Sequence, residues 1–255
     1  MILARDLIFG YPHSSPIFQN FNWQVQRGET WAVLGPSGCG KTSLLYLLAG
    51  LTQPTNGEIQ IDDQPLTRPR PRTGLILQDY GLLPWANVKQ NVELGLKVRD
   101  FYGPDGTHAP PDYKTKLDVL PWLDRLGMTE FADKYPAQLS GGQRQRTAIA
   151  RTLALQPDLL LMDEPFSSLD AVTREDLQSL TLELCAEQNL TLVMVTHAIE
   201  EAAIMGNHIL LLDMPPNQSP RIFHNPNGGT EGYRHSQEYF ELCKTLRSEL
   251  SHETA

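Results

Sequence analysis

Eight consecutive residues near the start of the chain could hold a phosphate chain, because three glycines there precede a lysine and a threonine. Glycines let a backbone wrap around phosphates, so that several N–H groups point at one anion. Lys41 at this spacing reaches the β- and γ-phosphates, and the hydroxyl of Thr42 binds Mg²⁺. The segment predicts a site for a nucleoside triphosphate, with these candidate ligands: Gly35, Pro36, Ser37, Gly38, Cys39, Gly40, Lys41, Thr42 and Ser43.

The neighbours of this loop favour the same interpretation. An apolar segment at 30–34 predicts a buried strand before the loop, and 42–49 predicts a helix that ends at Gly50. The helix would add its positive N-terminal end to the phosphate site. The alternative is a glycine-rich turn that binds nothing.

Two carboxylates follow a second apolar segment, Leu159–Met162. Ligands of open α/β sheets bind beyond the carboxyl ends of the strands. Asp163 could orient Mg²⁺ through a coordinated water, and Glu164 could act as general base on the attacking water. A strand that simply runs out into solvent would give the same pattern, so the prediction depends on the glycine loop lying in the same sheet.

The composition excludes several classes of protein. Among the 255 residues, 40% are apolar and 20% are charged, and the formal charge is −9, which argues against a nucleic-acid partner. The three cysteines are far apart, so neither a disulfide framework nor a zinc site is expected, and a reducing cytoplasm fits best. We predict no signal peptide and no membrane span, because the apolar runs are far shorter than roughly 20 residues.

Hydrophobic periodicity predicts an α/β chain with a mostly parallel sheet. Helical periodicity dominates 86–135, interrupted by a loop at 103–106 and 110–111. The tail at 215–232 should be irregular. The remaining predicted strands and helices are an edge strand at 2–9, strands at 17–27, 57–62, 74–78, 158–163, 190–196 and 208–213, and helices at 142–154, 171–187, 198–205 and 236–250.

Six short motifs in order resemble the ATP-binding cassette (ABC) ATPases, and the resemblance covers roughly residues 2–213. Leu139–Gln143 (LSGGQ) is the signature motif of that family without a substitution. The glycine loop and the paired acids Asp163 and Glu164 also match the family. The other matching residues are Tyr11, Gln78, the D-loop Ser168–Asp170, and His197.

The resemblance implies the ABC ATPase fold of the P-loop NTPases. This fold has a mostly parallel core sheet, an antiparallel β-subdomain and a helical subdomain. We expect a nucleotide-binding domain at 1–232, with the helical subdomain inserted at about 86–155, and a helical tail at 233–255. The tail helix could pack back on the core or touch a second copy.

The resemblance also implies roles for single residues. His197 would contact the γ-phosphate and position the water, and Gln78 would be a third Mg²⁺ ligand beside Thr42 and Asp163. Tyr11 would stack on adenine, although a packed strand-end aromatic is the alternative. Asp170 marks the D-loop. The ATP of the opposite subunit would be contacted by the signature residues, which are Ser140, Gly141, Gly142 and Gln143.

Cys39 carries a conditional expectation. If its thiol is accessible, alkylation should block ATP binding, and ATP should protect the cysteine.

The segment 82–92 has the sequence pattern LLPW…V..NV, which resembles that of importer ATPases of the nitrate/sulfonate/taurine branch. Leu82, Leu83 and Trp85 would either pack into the helical subdomain or receive short helices of a membrane subunit. The implied protein is a homodimer, or a pseudo-dimer with a paralogous ATPase, on the cytoplasmic face of the membrane. Its partners would be permease subunits and, indirectly, an extracytoplasmic solute-binding protein. The alternative is a soluble ABC ATPase in repair, translation or cofactor assembly.

Overall fold

The computed structural model describes residues 1–103 and 118–251. The predicted loop at 104–106 and 110–111 therefore lies outside the described residues.

Ten strands and seven helices form the described part of the chain. The strands are β1 (Ile2–Phe9), β2 (Phe18–Val25), β3 (Thr30–Leu34), β4 (Asn56–Ile61), β5 (Gln64–Pro65), β6 (Thr73–Ile76), β7 (Leu159–Asp163), β8 (Thr191–Thr196), β9 (His208–Leu211) and β10 (Arg221–His224). The helices are α1 (Lys41–Leu48), α2 (Val88–Tyr102), α3 (Leu120–Arg125), α4 (Gly141–Leu153), α5 (Ala171–Gln188), α6 (Ile199–Met205) and α7 (Gln237–Ser251).

The core sheet has the strand order β10-β9-β3-β8-β7-β6, and every pairing in it is parallel except β9 with β10. All residues of β7 and β8 are buried, as expected for parallel strands covered on both faces. Helix α1 packs against β7 and β8, and α6 packs against β3 and β8. The predicted mostly parallel sheet is therefore confirmed.

A second, antiparallel sheet has the order β2-β1-β4-β5. The prediction of an edge strand at 2–9 is wrong, because β1 pairs with β2 on one side and with β4 on the other. The charged Arg5 and Asp6, which suggested an edge, lie where the register of β1 shifts against both neighbours. Asp6 has a positive φ of 50° there, and such a bulge turns polar side chains outward inside a paired strand.

Helices α2, α3 and α4 carry the helical periodicity of the middle of the chain. Helix α2 begins with a capping box between Asn87 and Gln90 and packs against α4. Buried Asn91 accepts a hydrogen bond from the Leu83 amide at 2.8 Å and donates one to the Ala86 carbonyl at 2.9 Å. The segment before α2 is thereby fixed to the helix. No described helix combines the length and apolar character that a bilayer crossing requires.

The tail differs from its prediction in one respect. The segment 215–232 is not wholly irregular, because β10 pairs antiparallel with β9 along the edge of the core sheet. Pairing there satisfies the outer backbone groups of β9, which outweighs the turn-rich composition around β10. Arg221 of β10 forms ion pairs with Asp213 and, at 2.7 Å, with Glu249 of α7. Helix α7 packs on α6 of the same chain through Tyr239, Cys243 and other buried residues.

The start of β7 is fixed by a buried carboxylate. Asp158 is 5% exposed and accepts two hydrogen bonds from the Arg70 guanidinium, at 2.9 and 3.0 Å. Bidentate pairs of this kind are among the stronger side-chain interactions. The exposed pair of Arg5 with Glu58, at 3.3 Å, offers a contrast.

We predict that Asp158→Ala lowers the free energy of unfolding by about 2–4 kcal/mol, because the partly buried Arg70 guanidinium loses its bidentate partner and keeps a more distant ion pair, at 3.7 Å, with Asp62. Glu58→Ala should change it by less than about 1 kcal/mol. Urea denaturation of both variants checks the contrast, and equal losses in the two would show that Asp158 does not have this role.

Candidate active site

The predicted phosphate loop connects β3 to α1 at the carboxyl end of the parallel strands. Gly40 has a φ of +108°, and an added Cβ there would lie 2.3 Å from Cγ2 of Ile17, so only glycine fits before the helix begins. Lys41 is buried, and its ammonium group donates to the carbonyls of Gly35 at 2.8 Å and Pro36 at 2.9 Å. The loop therefore already holds one positive charge at its centre.

The loop is braced from behind by a residue that sequence reasoning missed. Buried Asn217 donates from its amide nitrogen to the Cys39 carbonyl at 2.9 Å and accepts from the Asp213 amide at 2.9 Å. It lies in the Pro- and Asn-rich tail, which gave no signal of such a role. Only the fold places this tail beside the phosphate loop.

The condition set for Cys39 is not met, because its side chain is fully buried. Burial also raises the pKa of the thiol, although nearby Lys41 opposes the shift. A buried, protonated thiol is a poor nucleophile. Cys39 can contribute its backbone to the loop, but its sulfur is not positioned for alkylation.

Asp163 at the end of β7 lies beside the loop. The Thr42 hydroxyl donates to its carboxylate at 3.3 Å. Burial raises the pKa of Asp163, and neighbouring Glu164 raises it further. A divalent cation would reverse this effect, and carboxylate and hydroxyl oxygens are the hard ligands that Mg²⁺ prefers. These residues fit a Mg²⁺ that takes its remaining ligands from phosphates and water.

Glu164 is the centre of a second polar group. Its carboxylate lies 3.1 Å from Nδ1 of His197, which follows β8, and 3.4 Å from Nε2 of Gln78, which follows β6. The fold thus brings together three residues that lie far apart in the sequence. Glu164 has a φ of +44°, a conformation that costs a non-glycine residue of order 1–3 kcal/mol.

One cavity of about 520 Å³ joins most of these residues. Tyr11 forms one wall, is 46% exposed, and lies 3.2 Å from the Ser43 hydroxyl through its own hydroxyl. Its ring also contacts Phe9 edge to face, so packing and ligand stacking are both compatible with the structure. The lining consists of Tyr11, Ile17, Ser37, Gly38, Gly40, Lys41, Thr42, Ser43, Glu164 and His197.

Among the described residues that line this cavity, none belongs to the signature motif. The signature residues begin α4, where Ser140 and Gln143 form a capping box with bonds of 3.2 and 2.9 Å. This box satisfies the amides of Ser140 and Gln143. No hydrogen bond between described residues reaches the amides of Gly141 and Gly142, so the helix start keeps two donors free.

Asp170 has an intrachain role as well. It caps α5, and its carboxylate accepts a hydrogen bond from the Thr173 amide at 3.1 Å. That bond lowers the pKa of the carboxyl group. Helix capping thus accounts for the conformation of Asp170 within its own chain.

A family model described as ABC transporter matches residues 18–167. The chain belongs to the ABC transporter family. It is an ATP-binding protein with the ATPase fold of that family, so the resemblance seen in its motifs is confirmed.

Individual relatives agree with this assignment. The taurine import ATP-binding protein TauB of Pseudomonas aeruginosa is 41% identical over 78% of this chain and 73% of its own length. The aliphatic sulfonates import ATP-binding protein SsuB of Bacillus thuringiensis is 35% identical over 92% of this chain and 89% of its own. A dimeric post-hydrolysis structure of the ATP-binding cassette MJ0796, bound to ADP and Pi, superposes with a TM-score of 0.73 and 29% identity, covering 88% of this chain and 98% of that chain.

We predict that Glu164→Gln binds ATP but hydrolyses it at least about 100-fold more slowly, since general-base catalysis contributes 10²–10⁴. Turnover and ATP affinity of the purified variant give the measurement. Glu187→Gln, on the exposed face of α5, serves as control and should keep wild-type turnover. Wild-type-like hydrolysis by Glu164→Gln would disprove the assignment of the base.

Gly142 allows a sharper test, because it also has a packing role. An added Cβ would lie 2.5 Å from Cγ2 of Thr173, so Gly142→Ala should destabilise the chain by about 1–3 kcal/mol through overpacking. Thr173→Ser removes that methyl group and keeps the hydroxyl. We expect the double variant to regain its melting temperature but not ATP-dependent dimer formation in the Glu164→Gln background. Recovery of both properties would show that the glycine serves packing alone.

Proposed function

We propose that this chain is the ATP-hydrolysing subunit of a bacterial ABC importer, lying peripherally on the cytoplasmic face of the membrane. The proposal of ATP hydrolysis rests on one observation: Glu164, His197 and Gln78 converge beside the phosphate loop that contains the buried Lys41. The importer part is supported by the relatives, whose names describe import of taurine and aliphatic sulfonates.

The proposed chemistry uses each polar group in a stated way. Lys41 and the loop amides bind the phosphates of ATP. Thr42, Asp163 and Gln78 would hold Mg²⁺, which supplies charge neutralisation on the phosphate oxygens. Glu164 accepts a proton from the attacking water, and His197, 3.1 Å away, contacts the γ-phosphate and helps to orient that water.

The complete site would contain two chains. The free amides at the start of α4 are suited to a phosphate, because a helix N-terminus carries partial positive charge. Since the signature residues do not line the cavity of their own chain, we propose that they bind the ATP of a second copy in a two-fold dimer. The dimeric MJ0796 cassette supports this arrangement.

Exposed apolar side chains before and at the end of α2 support the membrane partnership. Trp85 is 73% exposed, and Val98, Phe101 and Tyr102 of α2 are also exposed. Val98 and Tyr102 border a cavity of about 590 Å³ between α2 and the region of β6. Aromatic residues left in water mark interaction sites, and Trp85 lies in the segment that begins at Gln78. We propose that a permease docks here, while a solute-binding protein acts outside the cell.

The transported solute would be a small anion or zwitterion of the nitrate, sulfonate or taurine type. Uptake of labelled taurine, an alkanesulfonate and nitrate tests this in cells that lack the chain and in complemented cells. We expect loss of uptake of at least one solute and its return with the wild-type chain. Unchanged uptake of all three, together with a ribosomal or DNA partner, would favour a soluble role instead.

The docking surface gives a separate prediction. Trp85→Ser should abolish uptake and permease-stimulated ATP hydrolysis, measured relative to the variant's own unstimulated rate. Phe240→Ser removes another aromatic side chain that is 60% exposed, on α7, and should leave uptake intact. Equal uptake in the two variants would contradict docking through Trp85.

A further inference from the structure

Tyr80 lies two residues after Gln78, and its backbone is held by the signature helix. It has a φ of +66°, a strained conformation for an aromatic residue. Arg151 of α4 donates to the carbonyls of Tyr80 at 2.8 Å and Gly81 at 2.6 Å. Two hydrogen bonds from one partly buried guanidinium thus fix this turn to α4.

The Tyr80 ring is held by the same helix. The guanidinium carbon of Arg144 lies 5.8 Å from the ring centroid, in the range of a cation–π interaction. Arg144 also donates to the Leu139 carbonyl at 2.7 Å, just before the signature serine. Tyr80 is only 6% exposed, so its ring has little freedom to move independently of α4.

The Tyr80 hydroxyl lies near the N-terminus of α4 and reaches the turn that follows Glu164. It lies 2.7 Å from the Ser168 hydroxyl. A Cβ added at Gly141 would be 3.8 Å from the same Tyr80 oxygen and 3.2 Å from Cδ2 of Leu169. One phenol oxygen therefore lies where the Gln78 segment, the signature helix and the Ser168–Asp170 turn meet.

We propose that Tyr80 is a positioning residue for ATP hydrolysis, and that its hydroxyl bond to Ser168 sets the signature helix relative to the Ser168–Asp170 turn. The bond joins the Tyr80 turn to the turn that follows the proposed general base. Arg151 and Arg144 hold the Tyr80 turn to the helix that would reach the partner's ATP. Tyr80 itself lies outside the residues that line the nucleotide cavity. The inference rests on the proposed roles of Glu164 and the signature residues, and not on transport.

Because the bond acts through geometry, its loss should lower kcat and spare KM. Tyr80→Phe keeps the ring over Arg144 and the backbone bonds to Arg151, and removes only the hydroxyl. We expect a 2- to 10-fold lower kcat, roughly the effect of losing one neutral hydrogen bond, with KM for ATP changed less than about twofold. Ser168→Ala should have the same effect, and the double variant should be no slower than either single variant.

Steady-state hydrolysis of Mg²⁺-ATP by the purified chain and its melting temperature provide the readouts. Tyr233→Phe is the matched control, since it removes a buried tyrosine hydroxyl that donates to Asn225 in the tail. It should lower the melting temperature without lowering kcat. Multiplicative rate losses in the double variant, unchanged kcat in Tyr80→Phe, or an equal kcat loss in the control would each overturn the proposal. These outcomes differ from failure of the importer role, which appears in the uptake assay while hydrolysis persists.

Discussion

The parallel register of three buried strands is the constraint on which the site depends. Leu34, the last residue of β3, pairs with Thr196 of β8, and Asp163 of β7 pairs with Val195. The residues that follow these strands must therefore emerge at one edge of the sheet, side by side. A slip of one residue between β7 and β8 would turn one strand's side chains to the opposite faces and separate Glu164 from His197. The apolar core and the chemistry are specified by the same backbone hydrogen bonds.

Local sequence rules predicted the parts of this arrangement that depend on local physics. The glycine loop, the buried strand before Asp163 and the N-cap at Ser140 were all visible, because each follows from the conformational preferences of its own residues. Periodicity also located α5 and α7 to within about two residues, the usual precision for helix ends. The order of motifs then predicted the family, which the family match confirmed.

The rest of the structure depends on contacts that no local pattern contains. The charges at Arg5 and Asp6 resembled those of an edge strand because a bulge and an edge both expose polar side chains. Asn217 looked like one more polar residue in a turn-rich tail, but its amide supports the phosphate loop 178 positions away. Cys39 is a further example, because phosphate-binding loops lie at the surface but the Cys39 side chain is fully buried.

Glu164 and Tyr80 are two residues with strained backbones, and each is held by hydrogen bonds from a different part of the fold. Both have positive φ without being glycine, which a chain tolerates only where surrounding contacts compensate for the cost. The Glu164 amide is hydrogen-bonded to the Val195 carbonyl at 3.0 Å, so the neighbouring strand enforces its turn. Tyr80 is held instead by Arg151 of α4. Glu164 is thus anchored to the core sheet and Tyr80 to the signature helix. Ser168, four residues after Glu164, forms a hydrogen bond with the Tyr80 hydroxyl. The Tyr80–Ser168 bond connects the turn held by α4 with the turn that follows Glu164, so a relative movement of α4 and the sheet would have to accommodate this contact.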